Sequence, residues 1–225
     1  MKILLVAATR AECEPLLTGL ADPGNSARLS LRNHKADVLI TGVGMVATAF
    51  ALGQRLASEE YDLAINAGIA GSFDFNIKLG EVVLIREDIF AEQGAEDGDD
   101  FLSLTQLGFG EVSHYAVDGH RGTELVPQDL LNFKALEQIR KVKAITVNKV
   151  HGNELSIAKT LSRFNAQVES MEGAAFFYAC NQTRTPCIQI RSISNYVERR
   201  NKEKWNPGLA IKNLNDLLYR FLVTT

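Results

Sequence analysis

Cysteine is scarce. Cys13, Cys180 and Cys187 are the only three in 225 residues, an odd number without CxxC spacing. That excludes a disulfide scaffold and a zinc knuckle, and it is the usage expected in a reducing compartment. A basic excess is missing too. The 24 Lys and Arg are outnumbered by 27 Asp and Glu, a net charge of −3, so there is no cationic footprint for DNA or RNA. No run of about 18 apolar residues occurs, which excludes a membrane-spanning helix. The apolar run 3–8 stops at Thr9-Arg10-Ala11-Glu12, so it reads as a buried first strand and not as a signal segment. Internal repeats, low-complexity tracts and Pro/Ser-rich linkers are also absent. These absences leave a cytoplasmic protein with one domain over residues 1–225, long enough for one sizeable core.

What is present is alternation. Apolar, β-branched runs at 3–8, 36–41, 63–67, 81–86, 144–147, 168–171 and 186–190 read as strands. Several are apolar at consecutive positions, as expected of strands covered on both faces. Segments with helical period lie between them, at 12–20, 45–58, 128–140, 154–164, 174–181 and 207–222. The pattern predicts a single-domain α/β layered fold with a largely parallel or mixed central sheet flanked by helices. In such folds ligands sit at the carboxyl ends of strands. One stretch, about 87–124, has little periodicity and is rich in acids, including Glu87, Asp88, Glu92 and Glu96. It reads as a lid or a solvated surface loop.

Four strand ends carry candidate chemistry. Thr41-Gly42-Val43-Gly44 follows one strand and opens a helix, but no acid ends the next strand, so it argues for a tight turn near a ligand more than for NAD. Asn66-Ala67-Gly68-Ile69-Ala70-Gly71 places two glycines where backbone could press on a flat or sugar-like ligand, or simply turn. Glu172, in Ser170-Met171-Glu172-Gly173, either caps the following helix or accepts from vicinal hydroxyls of a ribose. Arg191-Ser192-Ile193-Ser194-Asn195 is a dense polar cluster of the kind a site uses. Glu12 joins them past the first strand, with an exposed first-turn acid as its bland reading. His114, His120 and His151 have no metal-ligand spacing, Cys13 reads as a small buried residue, and Trp205 as packing for the last helix.

Together, in order and spacing, these motifs resemble the nucleoside phosphorylase/nucleosidase superfamily, and closely the methylthioadenosine/S-adenosylhomocysteine nucleosidases within it. The resemblance implies that Glu12 orients and activates water, that Glu172 beside Met171 holds the ribose 2′- and 3′-hydroxyls, and that Asn195 addresses the N7/position-6 edge of a purine. It also implies that Gly68, Ser194 and Arg191 shape the pocket. Val150 stands where adenine-cleaving relatives carry a stacking aromatic.

Two departures refine this. Phosphorylases of the family carry a phosphate-clamping arginine where this chain has Asn66, with no substitute cation over 67–72. A phosphate dianion needs a fixed charge-assisted donor, so hydrolysis is expected over phosphorolysis. Adenine-cleaving members carry aspartic acid where Asn195 stands. An amide cannot give up a proton, but it can donate to a 6-oxo group and accept from a protonated N7. A nucleosidase for a 6-oxopurine nucleoside resembles the futalosine hydrolases, which release hypoxanthine in menaquinone biosynthesis. The resemblance implies no metal or organic cofactor, a purine nucleoside as the only small-molecule partner, and a homodimer or higher homo-oligomer. A benzoate on the substrate would need a cation, with Arg10 and Arg121 among the candidates.

Overall fold

The computed structural model describes residues 1–22, 24–31, 34–116, 136 and 138–223. Strand β1 (Lys2–Ala7) shows why two layers of helix are required. Ile3, Leu5 and Ala7 project to one side and Leu4 and Val6 to the other, and all five are buried. Helices α1 (Arg10–Leu20) and α2 (Met45–Ser58) follow the first two parallel strands. The first side is covered by α1 and the last helix, Pro207–Val223, through Leu16, Leu17, Leu218 and Phe221. On the other side α2 packs with the helix Gly173–Thr183, through Leu52, Leu56, Phe176 and Phe177.

The sheet is mixed. In chain order its strands are β2 (Ala21–Asp22), β3 (Asn25–Ser30), β4 (Lys35–Ile40), β5 (Leu63–Ser72) and β6 (Val82–Phe90). The short strands β7 (Gly94–Asp97), β8 (Asp100–Ser103) and β9 (Ser113–Tyr115) follow, then β10 (Arg140–Thr146), β11 (Val168–Ser170) and β12 (Cys187–Tyr196). Across the sheet the order is β11-β10-β6-β12-β5-β1-β4-β3-β2. β1, β4, β5 and β12 run parallel to their neighbours in that group, whereas β12 is antiparallel to β6. β11 also pairs antiparallel with β5, Val168 opposite Ser72 and Glu169 opposite Gly71. That second pairing curls the sheet closed, and brings β11 against the carboxyl end of β5.

Helix α3 (Glu154–Phe164) is opened by Asn153, whose side chain accepts from the amides of Leu155 and Ser156. Among the described residues, two further α-helices are α4 (Gly173–Thr183) and α5 (Pro207–Val223). Three strands outrun the apolar runs that announce them: β5 reaches Ser72, β6 reaches Phe90 and β12 reaches Tyr196. The extension opens with Gly68 in β5, with Glu87-Asp88 in β6 and with Arg191-Ser192 in β12, so hydropathy and turn signals end each strand early. The aperiodic stretch after Arg86 also holds structure. β7 and β8 form a hairpin, and β9 pairs with β6. β7 is exposed along its whole length, so no alternation marks it. The helix expected over 128–140 lies outside the described residues apart from Leu136 and 138–140, and Arg140 opens β10. His120 and Arg121 lie outside them too. Among the described residues, no helix is long and apolar enough to cross a membrane.

Candidate active site

A cleft of about 500 Å³ opens where β1, β5, β11 and β12 end, and Glu12, Val150, Met171, Glu172, Ser194 and Asn195 all line it. Glu12 sits in the first turn of α1, yet it is buried rather than solvated. Its Oε2 accepts from the Thr9 amide at 2.9 Å and the Thr9 hydroxyl at 3.1 Å, while Oε1 accepts from the Ile69 amide at 3.1 Å. Thr9 is the helix N-cap, so the carboxylate both completes a capping box and reaches across to β5. Three donors fix where its oxygens point.

Glu172 stands at the start of α4 but makes no capping bond. It reaches instead to the Thr41–Gly44 turn, where Oε1 accepts from the Gly44 amide at 3.0 Å. Gly44 has a φ of +98° and Gly42 of +87°, a conformation that favours glycine, which is what aims this amide at the carboxylate. Arg191 lies behind Glu172, its Nη1 3.6 Å from Oε2. The guanidinium also donates to Gln189 Oε1 at 2.9 Å and to Asn66 Oδ1. Gln189 in turn donates to Asp88, which also accepts from Thr146 Oγ1 at 2.8 Å. Burial pushes the Asp88 carboxyl up to about 6, against the pull of the Thr146 and Gln189 hydrogen bonds and Arg191.

Arg191 and Gly68 therefore do not face the cleft as expected. The Arg191 side chain turns under the wall to Asn66 and Glu172, and it is 1% exposed. A Cβ at Gly68 would overlap Arg191 Nη1 and lie 2.7 Å from Glu12 Oε1. The glycine makes room for these two side chains, while Ile69, Ala70 and Gly71 supply the cleft wall.

Asn195, also on the cleft wall, has a fixed orientation. Its Nδ2 donates to the Tyr196 carbonyl at 3.1 Å and its Oδ1 accepts from Ser194 Oγ at 2.7 Å. One N–H and one lone pair remain for a ligand. Val150, 40% exposed, offers a small apolar face.

The cleft holds further residues that the motif reading passed over. Glu169 lines it, 3% exposed, with Oε1 accepting from the His151 amide at 3.0 Å and Oε2 2.6 Å from His151 Nδ1. The signal was there: a carboxylate inside a strand, flanked by Val168 and Ser170, needs a partner to be buried. Trp205 is a cleft residue rather than mere packing for α5, with the Arg200 guanidinium 5.0 Å from its ring. None of the described residues from 87 to 116 lines the cleft. Cys13 is buried, and that burial raises its thiol to about 11, so it is no nucleophile at neutral pH.

Residues 24–223 match the family model of the Phosphorylase superfamily. The chain is 30% identical to a futalosine hydrolase of Streptomyces coelicolor, over 96% of this chain and 93% of that one. It is 27% identical to a 5′-methylthioadenosine/S-adenosylhomocysteine nucleosidase of Colwellia psychrerythraea, over 96% and 92%. The solved futalosine hydrolase of Helicobacter pylori superposes with a TM-score of 0.80 at 15% identity, covering 98% of this chain and 97% of the other. With a nucleosidase-like fold, a match across most of its length and 30% identity to its relatives, the chain belongs to the phosphorylase superfamily.

Proposed function

We propose that this chain is a purine nucleosidase that hydrolyses the N-ribosidic bond of a 6-oxopurine nucleoside, futalosine, and releases hypoxanthine. The observation that carries the reading is the pairing across one cleft of a buried, donor-fixed carboxylate, Glu12, with an oriented neutral amide, Asn195. Glu12 takes a proton from water, whose oxygen bonds to the anomeric carbon. The carbon–nitrogen bond breaks and its electron pair leaves on the purine. Glu172 accepts from the ribose hydroxyls, and its charge favours the oxocarbenium-like sugar. Asn195 donates its free N–H to O6, where charge on the departing base collects against a fixed dipole, and its Oδ1 accepts from N7 once solvent has protonated that nitrogen. Val150 and Met171 give the base and sugar apolar contact.

Hydrolysis is favoured over phosphorolysis because, among the described residues, the cation behind Glu172 is already committed. Arg191 serves Asn66, Gln189 and Glu172 at once. Arg10 is paired to Glu14 at 2.7 Å on the exposed face of α1. Arg200, beside Trp205, is the arginine among the described lining residues and the partner for a substrate benzoate. Val43, Val46 and Phe50 expose an apolar stripe where α2 begins, and Val43 also lines the cleft, so a second copy of the chain would cover the stripe and complete the site. With futalosine as substrate, the enzyme works in cytoplasmic menaquinone biosynthesis.

A chromatographic assay for free base with futalosine, methylthioadenosine and inosine, each with and without phosphate, tests the reading. Phosphate-independent release of hypoxanthine from futalosine is expected. Faster release of adenine from methylthioadenosine would transfer the chain to the adenine-cleaving nucleosidases, and dependence on phosphate would overturn hydrolysis.

A further inference from the structure

Glu169 belongs to neither the water-activating nor the ribose-holding machinery, yet it is a carboxylate 3% exposed on the wall of the same cleft. It lies beside Asn195. A Cβ at Gly71 would sit 3.2 Å from Asn195 Nδ2 and 3.6 Å from Glu169 Cγ, so both side chains flank one glycine of β5. On a 6-oxopurine, O6 lies between N7 and the N1–H group. A site that addresses N7 and O6 with an amide therefore needs an acceptor next to it for N1–H.

We propose that Glu169 is a specificity-determining residue that accepts the N1–H of a 6-oxopurine base. This rests on the 6-oxopurine reading of Asn195. An ionised carboxylate offers about four lone-pair positions. The His151 amide and Nδ1 take one on each oxygen, and Thr160 Oγ1 holds His151 Nε2 at 2.9 Å, so the imidazole is fixed and each oxygen of this cleft-lining carboxylate keeps a further lone pair. The same arrangement excludes adenine. Its N1 is an acceptor without hydrogen, and the neighbouring backbone donor, the His151 amide, is already spent on Glu169. Adenine N1 would meet oxygen lone pairs with no proton between them. A hydrogen bond to a charged acceptor, converted to affinity, is worth roughly ten- to hundredfold.

Calorimetric binding of free bases separates this inference from the reading beneath it. Wild-type protein should bind hypoxanthine roughly ten- to hundredfold more tightly than adenine or 1-methylhypoxanthine, which lacks the N1 proton. In Glu169→Gln the amide can turn an N–H to the cleft, and the hypoxanthine/adenine ratio should fall at least tenfold. If wild type prefers hypoxanthine and the variant keeps the same ratio, Glu169 does not read N1 and Asn195 alone selects the base. If wild type binds no hypoxanthine, the 6-oxopurine reading falls with it. Should the variant not fold, equal wild-type affinity for hypoxanthine and 1-methylhypoxanthine is enough to overturn the proposal.

Discussion

Replacing Gly68 by alanine puts one methyl group between the two charged groups on which the site depends. The new Cβ would lie 2.7 Å from Glu12 Oε1, where ordinary contact begins at 3.4 Å, and it would overlap Arg191 Nη1. Glu12 must then retreat by about 0.7 Å. Its Ile69 amide partner cannot follow, because Ile69 is the next residue on the same rigid strand. Arg191 has no free space either, held by Asn66 and Gln189 in a buried site. A misplacement of about 1 Å at a catalytic group costs on the order of 10²-fold in rate, so kcat for base release should fall by that order. Overpacking a filled interior costs about 1–3 kcal/mol, which a thermal melt reads as a drop of several degrees in Tm. Gly53→Ala is the control. It lies in α2, where an added Cβ meets nothing within 4 Å, and it should raise stability by about 0.5–1 kcal/mol with unchanged turnover. Assays are run well below both melting points. A Gly68→Ala enzyme with kcat within twofold of wild type would refute the claim that this glycine spaces Glu12 from Arg191.

Three more tests address separate groups. Glu12→Gln keeps the shape but loses the base, so turnover should vanish while nucleoside binding, read by calorimetry, stays within a fewfold; near-normal kcat would sink the assignment. Asn195→Asp restores a proton donor at N7, and the adenine/hypoxanthine rate ratio should rise by about 10²-fold, the lower end of what general acid catalysis supplies. An unchanged ratio would mean that the base is read elsewhere. Asp88 has a carboxyl raised to about 6 from an unfolded value of 3.8, so the folded state holds this proton more tightly. Its contribution falls as pH rises from about 4 to 6, a difference of about 3 kcal/mol. Asp88→Asn cannot titrate, and Tm plotted between pH 4 and 7 should slope less steeply downward than in wild type; identical slopes would show that Asp88 is not the group responsible.

Much of this arrangement is readable without coordinates where a pattern is unbroken. The helices at 45–58 and 154–164 have the same limits in sequence and structure, because apolar residues at helical spacing run cleanly between a glycine or asparagine at the start and a polar stop. Strand ends read less well. Arg191, Ser192 and Ser194 lie within β12, and they are buried because each has a polar partner that hydropathy cannot register. Glu12, Glu172 and Asn195 were recognisable by motif, and all three meet at one cleft. Glu169 was hidden because its partner, His151, sits 18 residues earlier in the chain and carries no familiar spacing. Arg191 was assigned to the base pocket because its neighbours Ser194 and Asn195 are there; its own direction depends on Asn66, 125 residues away.

The seam between β5 and β11 joins Val168 to Ser72, nearly a hundred residues apart along the chain. Loops that long close late, and proteins dominated by such distant pairings acquire their final form in milliseconds to seconds rather than microseconds. Helical signal should therefore return early when denatured protein is diluted into buffer, and catalytic competence should lag behind it. During synthesis the seam cannot close until the strand that ends at Ser170 has left the ribosome.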